Sequence, residues 1–173
     1  MLPRLARFFL GLIVATIIWL PVSPLYNQLL ARTSQPLLKI DRRFRDARVA
    51  AHGDQVVVTS AGGRFPPANI PASQLTYNIV FLVALFASNR RPLRDRNVLP
   101  FVLSLLIVAA SHPISVVMSI ESTYAVQLGV WSEQHYSEIS ANTWLAAEMF
   151  YRLIGMFALV FACWWWGGKR FVG

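Results

Sequence analysis

Charge is scarce in this chain and cysteine nearly absent. Only 14% of its 173 residues are charged, against 55% hydrophobic, whereas about 25% charged is usual for a soluble domain. A single cysteine, Cys163, excludes an intrachain disulfide and a thiolate metal cage, so neither a disulfide scaffold nor a zinc fold is expected. No cofactor motif is present, and no bound cofactor is expected. Acidic residues number 8 against 16 Lys and Arg, which gives a net charge of +8 and a pI near 10.6. Such a balance can signal nucleic acid, but here the bases sit beside long apolar runs, where they set orientation in a membrane. No nucleic-acid partner is expected.

The windows 8 to 31, 65 to 89 and 97 to 120 carry no charge, and 139 to 168 carries only Glu148 and Arg152. Each is long enough to cross a hydrocarbon layer about 30 Å thick, which takes roughly 20 helical residues. The expected fold class is all-α transmembrane: a four-helix bundle with spans at about 8–29, 72–88, 98–119 and 144–166. A small β-hairpin-like loop is expected between the first two spans. The chain 1–173 is then one membrane domain, with extracytoplasmic loops at 32–71 and 120–143 and a cytoplasmic loop at 89–97.

The first span follows Arg4 and Arg7 and reads as an uncleaved signal anchor, because no small-x-small site follows Leu20. Pro21 and Pro24 are expected to break it near Trp19 and Tyr26, which would anchor at the interface. In the polar segment 32–71, Val49-Ala-Ala and Gln55-Val-Val-Val-Thr59 flank His52-Gly53-Asp54, the pattern of a hairpin. A hairpin alone is marginal in water, so it should lean on the membrane, the bundle or a partner. Ser111-His112-Pro113 should kink the third span. Ile120, Tyr124, Leu128 and Trp131 recur at roughly helical spacing, which suggests an interfacial helix in the last loop.

Lys and Arg in short flanks are retained in the cytoplasm. Arg4 and Arg7, the arginines of 89–97, and Lys169 with Arg170 then place both termini inside, in a multi-pass membrane protein. Segment 32–71 conflicts with this placement because it is basic and falls outside. Its length weakens the rule there.

Ionisable side chains inside a span are costly and normally face protein or a wet cavity. Glu148 and Arg152 share a helix face in the favourable i to i+4 order. Measured from Trp144, they lie roughly 6 and 12 Å below the outer surface. His112, Tyr77 and Asn78 come out in the same leaflet, which defines an expected intramembrane polar cluster of Tyr77, Asn78, His112, Glu148 and Arg152. Two readings of it stay open: a site or proton-responsive contact, and hydrogen-bonded glue between helices. Arg42, Arg43, Arg45 and Arg48 are candidates for contact with lipid headgroups or a partner. Trp164, Trp165 and Trp166 suit an aromatic belt at a span end, and could also meet a partner or a lipid-soluble cofactor.

Cys163, His112 and Arg152 are the residue types used by the exosortase family of membrane transpeptidases. Cys163 lies about 16 Å beyond Arg152 along one helix, and Ala162 and Trp164 lack the Ser-Gly context of that family's catalytic cysteine. No catalytic residues, metal ligands or enzyme activity are expected. In layout the chain resembles the small membrane proteins associated with exosortases, of the exosortase H-associated type. The likeness rests on the N-terminal anchor, the β-like segment, Leu75-Thr-Tyr-Asn-Ile-Val-Phe-Leu-Val-Ala-Leu-Phe-Ala87, Tyr124-Ala-Val-Gln-Leu-Gly129 and a Trp-rich last span. It implies a non-catalytic accessory protein of the bacterial inner (cytoplasmic) membrane that works with a protein-sorting system. The partners expected are therefore the lipid bilayer and another membrane protein. A small subunit of a respiratory or photosynthetic complex fits the same physics, as does an oligomeric transporter or channel built on Glu148 and Arg152.

Overall fold

Hydrophobic length decides most of the architecture. In the computed structural model, which describes residues 3–89 and 95–169, the chain is mostly helical with one small sheet. Helix α1 spans Arg4–Leu38 and is followed by a 3-10 turn at Arg42–Phe44. Strands β1 (Ala47–His52), β2 (Gln55–Ser60) and β3 (Ala68–Pro71) come next. Helices α2 (Ala72–Thr76), α3 (Asn78–Ala87), α4 (Asp95–Val126), α5 (Val130–His135) and α6 (Glu138–Phe150) then follow. A π-helical segment at Tyr151–Gly155 leads into α7 (Met156–Lys169).

Three stretches are long and apolar enough to cross a membrane: Arg4–Leu38, Val98–Val126 and Glu138–Gly167. The expected second span is shorter. Ala72–Ala87 forms an apolar helix interrupted at Tyr77, and at about 1.5 Å per residue it covers only some 24 Å. The expected cytoplasmic loop lies largely outside the described residues, as does Arg170.

Two of the expected boundaries need correction. Helix α1 does not break at Pro21 and Pro24; it continues through them and through Pro36 to Leu38. A proline removes one ladder bond, and apolar helices tolerate this where packing holds the rest. That packing is visible in Leu30, Ala31, Ser34 and Leu38, all buried along one stripe. The region 120–143 is not an interfacial helix followed by loop. Helix α4 runs on to Val126, Gly129 turns the chain at φ +55°, and Ser137 caps α6 by accepting the Ser140 N–H. Ile120 and Tyr124 sit in protein core instead of at a membrane surface.

The described chain divides into two compact units. The helical unit comprises residues up to Val22, Thr76–Ser111 and the chain from Ile154 onward. Small residues bring helices together here: a Cβ on Gly11 would come within 2.5 Å of the Ala87 Cβ, and Ala15 one turn on is also buried. Phe81 packs edge-on against Phe8, Phe157 and Phe161 at centroid distances of 5.5 to 5.9 Å.

The strand unit comprises Ser23–Leu75 and His112–Leu153. Its sheet is antiparallel in the order β1-β2-β3, with His52 opposite Gln55 across the Gly53-Asp54 turn. The hairpin is thus where the spacing puts it. Strand β3 is an addition, short and closed by Pro71, as an edge position allows. Val56, Val58 and Ile70 point inward and are fully buried with Phe44, Leu38, Ile120 and Tyr124. Each such aliphatic side chain contributes about 1.5–3 kcal/mol by leaving water, which supplies the support a lone hairpin lacks.

Candidate functional site

Polar side chains in the strand unit gather in three places. The first surrounds Glu148 and Arg152, which meet at 3.4 Å on the expected face. Glu148 Oε1 also accepts the Ser119 hydroxyl from α4 at 2.8 Å, while Arg152 donates to Gln74 Oε1 at 2.5 Å. Arg152 falls inside the π-helical segment, where one extra residue widens the turn; such bulges recur at functional sites. The arrangement ties α6 to α4 and to the start of α2. Glu148 is well covered, its side chain 12% exposed, and Arg152 is 40% exposed.

The second place is His112. It is fully buried and hydrogen-bonded through Nδ1 to the Tyr26 hydroxyl at 2.6 Å, with the two rings edge to face. Tyr26 is on α1, whereas Glu148 bonds to Ser119 and Arg152 to Gln74. Tyr77 and Asn78 belong to the helical unit. Tyr77 is half exposed and lines an apolar groove of about 430 Å³ with Leu12, Trp19 and Phe157, and Asn78 is buried. Of the five expected cluster members, the structure brings Glu148 and Arg152 together.

The third place is a network of which the sequence offers only Arg43 as a candidate. Arg43 lies 2.5 Å from Asp41 and 3.3 Å from Glu121, and its guanidinium stands 3.8 Å from the Tyr136 ring centroid. Glu121, only 3% exposed at its side chain, accepts the Tyr136 hydroxyl at 2.6 Å. Arg43 is therefore turned into the unit and engaged there, unlike Arg42, Arg45 and Arg48, which are exposed. Burial opposes ionisation of Asp41, but hydrogen bonds and charge from Arg43 prevail and hold its carboxyl below the usual range. Burial, reinforced by the bond to Glu121, pushes the Tyr136 phenol well above its ordinary value. Such a charge network can lock the 3-10 turn, the end of α4 and the α5–α6 junction into one arrangement.

The nucleophile question has a local answer. Cys163 is buried, and its carbonyl accepts the Ser104 hydroxyl at 3.4 Å across α7 and α4. Among the described residues no three His, Cys, Asp or Glu side chains are grouped to hold a metal ion. Trp165 and Trp166 are exposed, as a belt requires. Comparison with known proteins adds no relative: no family model, no curated protein and no solved structure matches the chain.

Proposed function

We propose that this chain is a non-catalytic accessory protein of the bacterial inner membrane that acts by binding other membrane proteins, with both termini in the cytoplasm and four spans. One observation carries the reading. Glu148 and Arg152, the two charges within an apolar window, pair with each other at 3.4 Å, as a structural tie between helices does. The polar groups support it, because Glu148, Arg152 and His112 are all engaged with Ser119, Gln74 and Tyr26. Ionic glue of that kind suits a scaffold. The likeness in layout to exosortase-associated proteins makes an exosortase-type sorting system the first partner to test.

Purification from the native membrane in mild detergent should yield the chain with a stoichiometric membrane-protein partner. Glu148→Gln and Arg152→Gln should weaken assembly of the chain, measured by gel filtration, without creating or abolishing any ion flux in proteoliposomes. A lone homo-oligomer whose flux depends on Glu148 would replace this reading with transport.

A further inference from the structure

The net charge of the chain is shared unevenly between its two units. The strand unit carries eight Lys or Arg and seven acids, whereas the helical unit carries eight against a single acid, Asp95. Contacts within the helical unit bring four helix ends together. At the start of α1, Arg7 donates to the Asn89 carbonyl, just past α3, at 2.6 Å, and the Arg4 guanidinium stands 5.2 Å from the ring centroid of Trp164 in α7. At the end of α7, a Cβ on Gly167 would meet the Pro100 Cβ of α4 at 3.1 Å and the Phe86 ring of α3 at 3.2 Å. Arg4 and Arg7 are one helical turn apart, so their side chains are neighbours on one face of α1. Neither makes an ion pair among the described residues. Two N–H groups at this end, Arg7 Nε and Trp164 Nε1, are covered and have no hydrogen-bond acceptor among the described residues.

We infer that Arg4, Arg7 and Trp164 form a binding site for the phosphate of an anionic phospholipid headgroup. The inference goes beyond the accessory reading and does not depend on it. Guanidinium N–H groups match phosphate oxygens in pairs, and two guanidinium groups on adjacent turns can grip one phosphate together. Arg7 is anchored by the Asn89 carbonyl, while Arg4 is exposed and rests on the Trp164 ring, from which it can turn onto a ligand. The covered N–H groups of Arg7 and Trp164 call for an acceptor, and a phosphate brings several oxygens. Placement along the chain selects a lipid. Arg4 and Arg7 directly precede the charge-free run 8–31, and Trp164 lies within two turns of the end of α7. Ends of apolar runs meet headgroups, and Arg and Trp gather there. With one acid in the whole unit there is little to receive the ammonium of a zwitterionic headgroup, so a headgroup of net negative charge is preferred.

Native mass spectrometry of the full chain, delipidated in detergent and then titrated with phosphatidylglycerol or phosphatidylcholine, tests the site. Phosphatidylglycerol should bind at least about tenfold more tightly. Arg4→Gln with Arg7→Gln should remove most of that preference. Lys169→Gln with Arg170→Gln takes away the same charge and should leave the greater part of it. Arg7→Gln also removes the bond to Asn89, so Arg4→Gln and Trp164→Phe are measured singly as well. Each should cut the preference at least about threefold while the lipid-free thermal midpoint stays unchanged. Added phosphatidylglycerol should raise the midpoint of wild type more than that of either variant. Glycerol 3-phosphate, which carries the phosphate without acyl chains, should not compete at the concentrations where lipid binds. Equal affinity for the two lipids, or equal losses in the two double variants, overturns the inference. So does competition by glycerol 3-phosphate at those concentrations, which would make the ligand a soluble phosphate. An Arg4-dependent preference for an acidic peptide over phosphatidylglycerol overturns it too, in favour of a polypeptide.

Discussion

Replacing Arg43 by Met tests whether the buried network holds the strand unit together. The substitution keeps most of the side-chain length and removes the charge, leaving Glu121 with the Tyr136 hydroxyl but no cation within 4 Å. Breaking one side of a buried pair costs about 3–5 kcal/mol. Arg43 is itself 27% exposed, so water takes over part of its role, and the lower end, about 3 kcal/mol, is expected. Glu121→Gln is milder, because the amide oxygen can still accept from Tyr136; about 1–2 kcal/mol is expected from the lost charge-assisted bonds. The double variant leaves no carboxylate at 121; Asp41 lacks its cation there as it does in Arg43→Met alone, so that loss cancels in the comparison. It should cost at least about 1 kcal/mol less than the sum of the single changes, as residues in one network do.

Hydrogen exchange of the β1 and β2 amides reads the opening free energy of this unit directly and does not require the whole chain to unfold in one step. Two results would refute the reasoning. A cost under about 1 kcal/mol for Arg43→Met would mean that the pair behaves like a surface salt bridge. Strict additivity in the double variant would mean that Arg43 and Glu121 do not depend on each other.

The same network sets an acid limit. Asp41 is held below its ordinary range, so it stabilises the fold fully above an unfolded pKa of about 3.9 and loses that contribution as pH falls through its lower folded value. Protection of the β1 amides should therefore weaken below about pH 4, and Asp41→Asn should lower protection at pH 7 while flattening that acid dependence. In the helical unit, Gly11→Val should lower the thermal midpoint in detergent, at a cost of about 1–3 kcal/mol for overpacking, because its Cβ would lie 2.5 Å from the Ala87 Cβ. Gly62→Ala, whose Cβ meets nothing nearer than the Arg64 Cγ at 4.0 Å, should leave the midpoint unchanged. A midpoint unaffected by Gly11→Val would contradict the close approach of α1 and α3.

Three of the four long apolar windows read well from sequence, because the bilayer imposes one requirement on them, apolar residues over about 20 positions; the window 65–89 instead holds strand β3 and the short, interrupted Ala72–Ala87 helix. The hairpin at Gly53-Asp54 reads well for a similar reason, since a two-residue turn between alternating strands fixes its own register. Helix ends read poorly. Pro21, Pro24 and Pro36 are breakers by local preference, yet burying Leu30 and Leu38 against a sheet more remote in sequence outweighs them. Strand β3 is missed because a four-residue segment that follows Pro67 and ends in Pro71 carries almost no pattern, and its pairing with β2 is what makes it a strand.

The polar sites follow the same division between local and remote causes. Glu148 and Arg152 stand out because a charge within an apolar window is conspicuous, and their i to i+4 spacing alone predicts that they meet. Glu121 lies one residue past such a window and passes for a solvated loop charge. Its partner Arg43 is 78 residues away, so no spacing rule connects them. A usable signal does exist: Ile120 and Tyr124 continue the periodicity of α4, and a carboxyl group inside a helix that packs on both sides must find polar partners. Searching for unpaired acids within extended apolar periodicity would have placed Glu121 beside Glu148 as a residue to test. Removing that acid's partner then distinguishes the two kinds of charge in this chain. Arg43 pairs with a buried carboxyl group 78 residues away, whereas Arg32, Lys39, Arg42, Arg45 and Arg48 make no ion pair among the described residues.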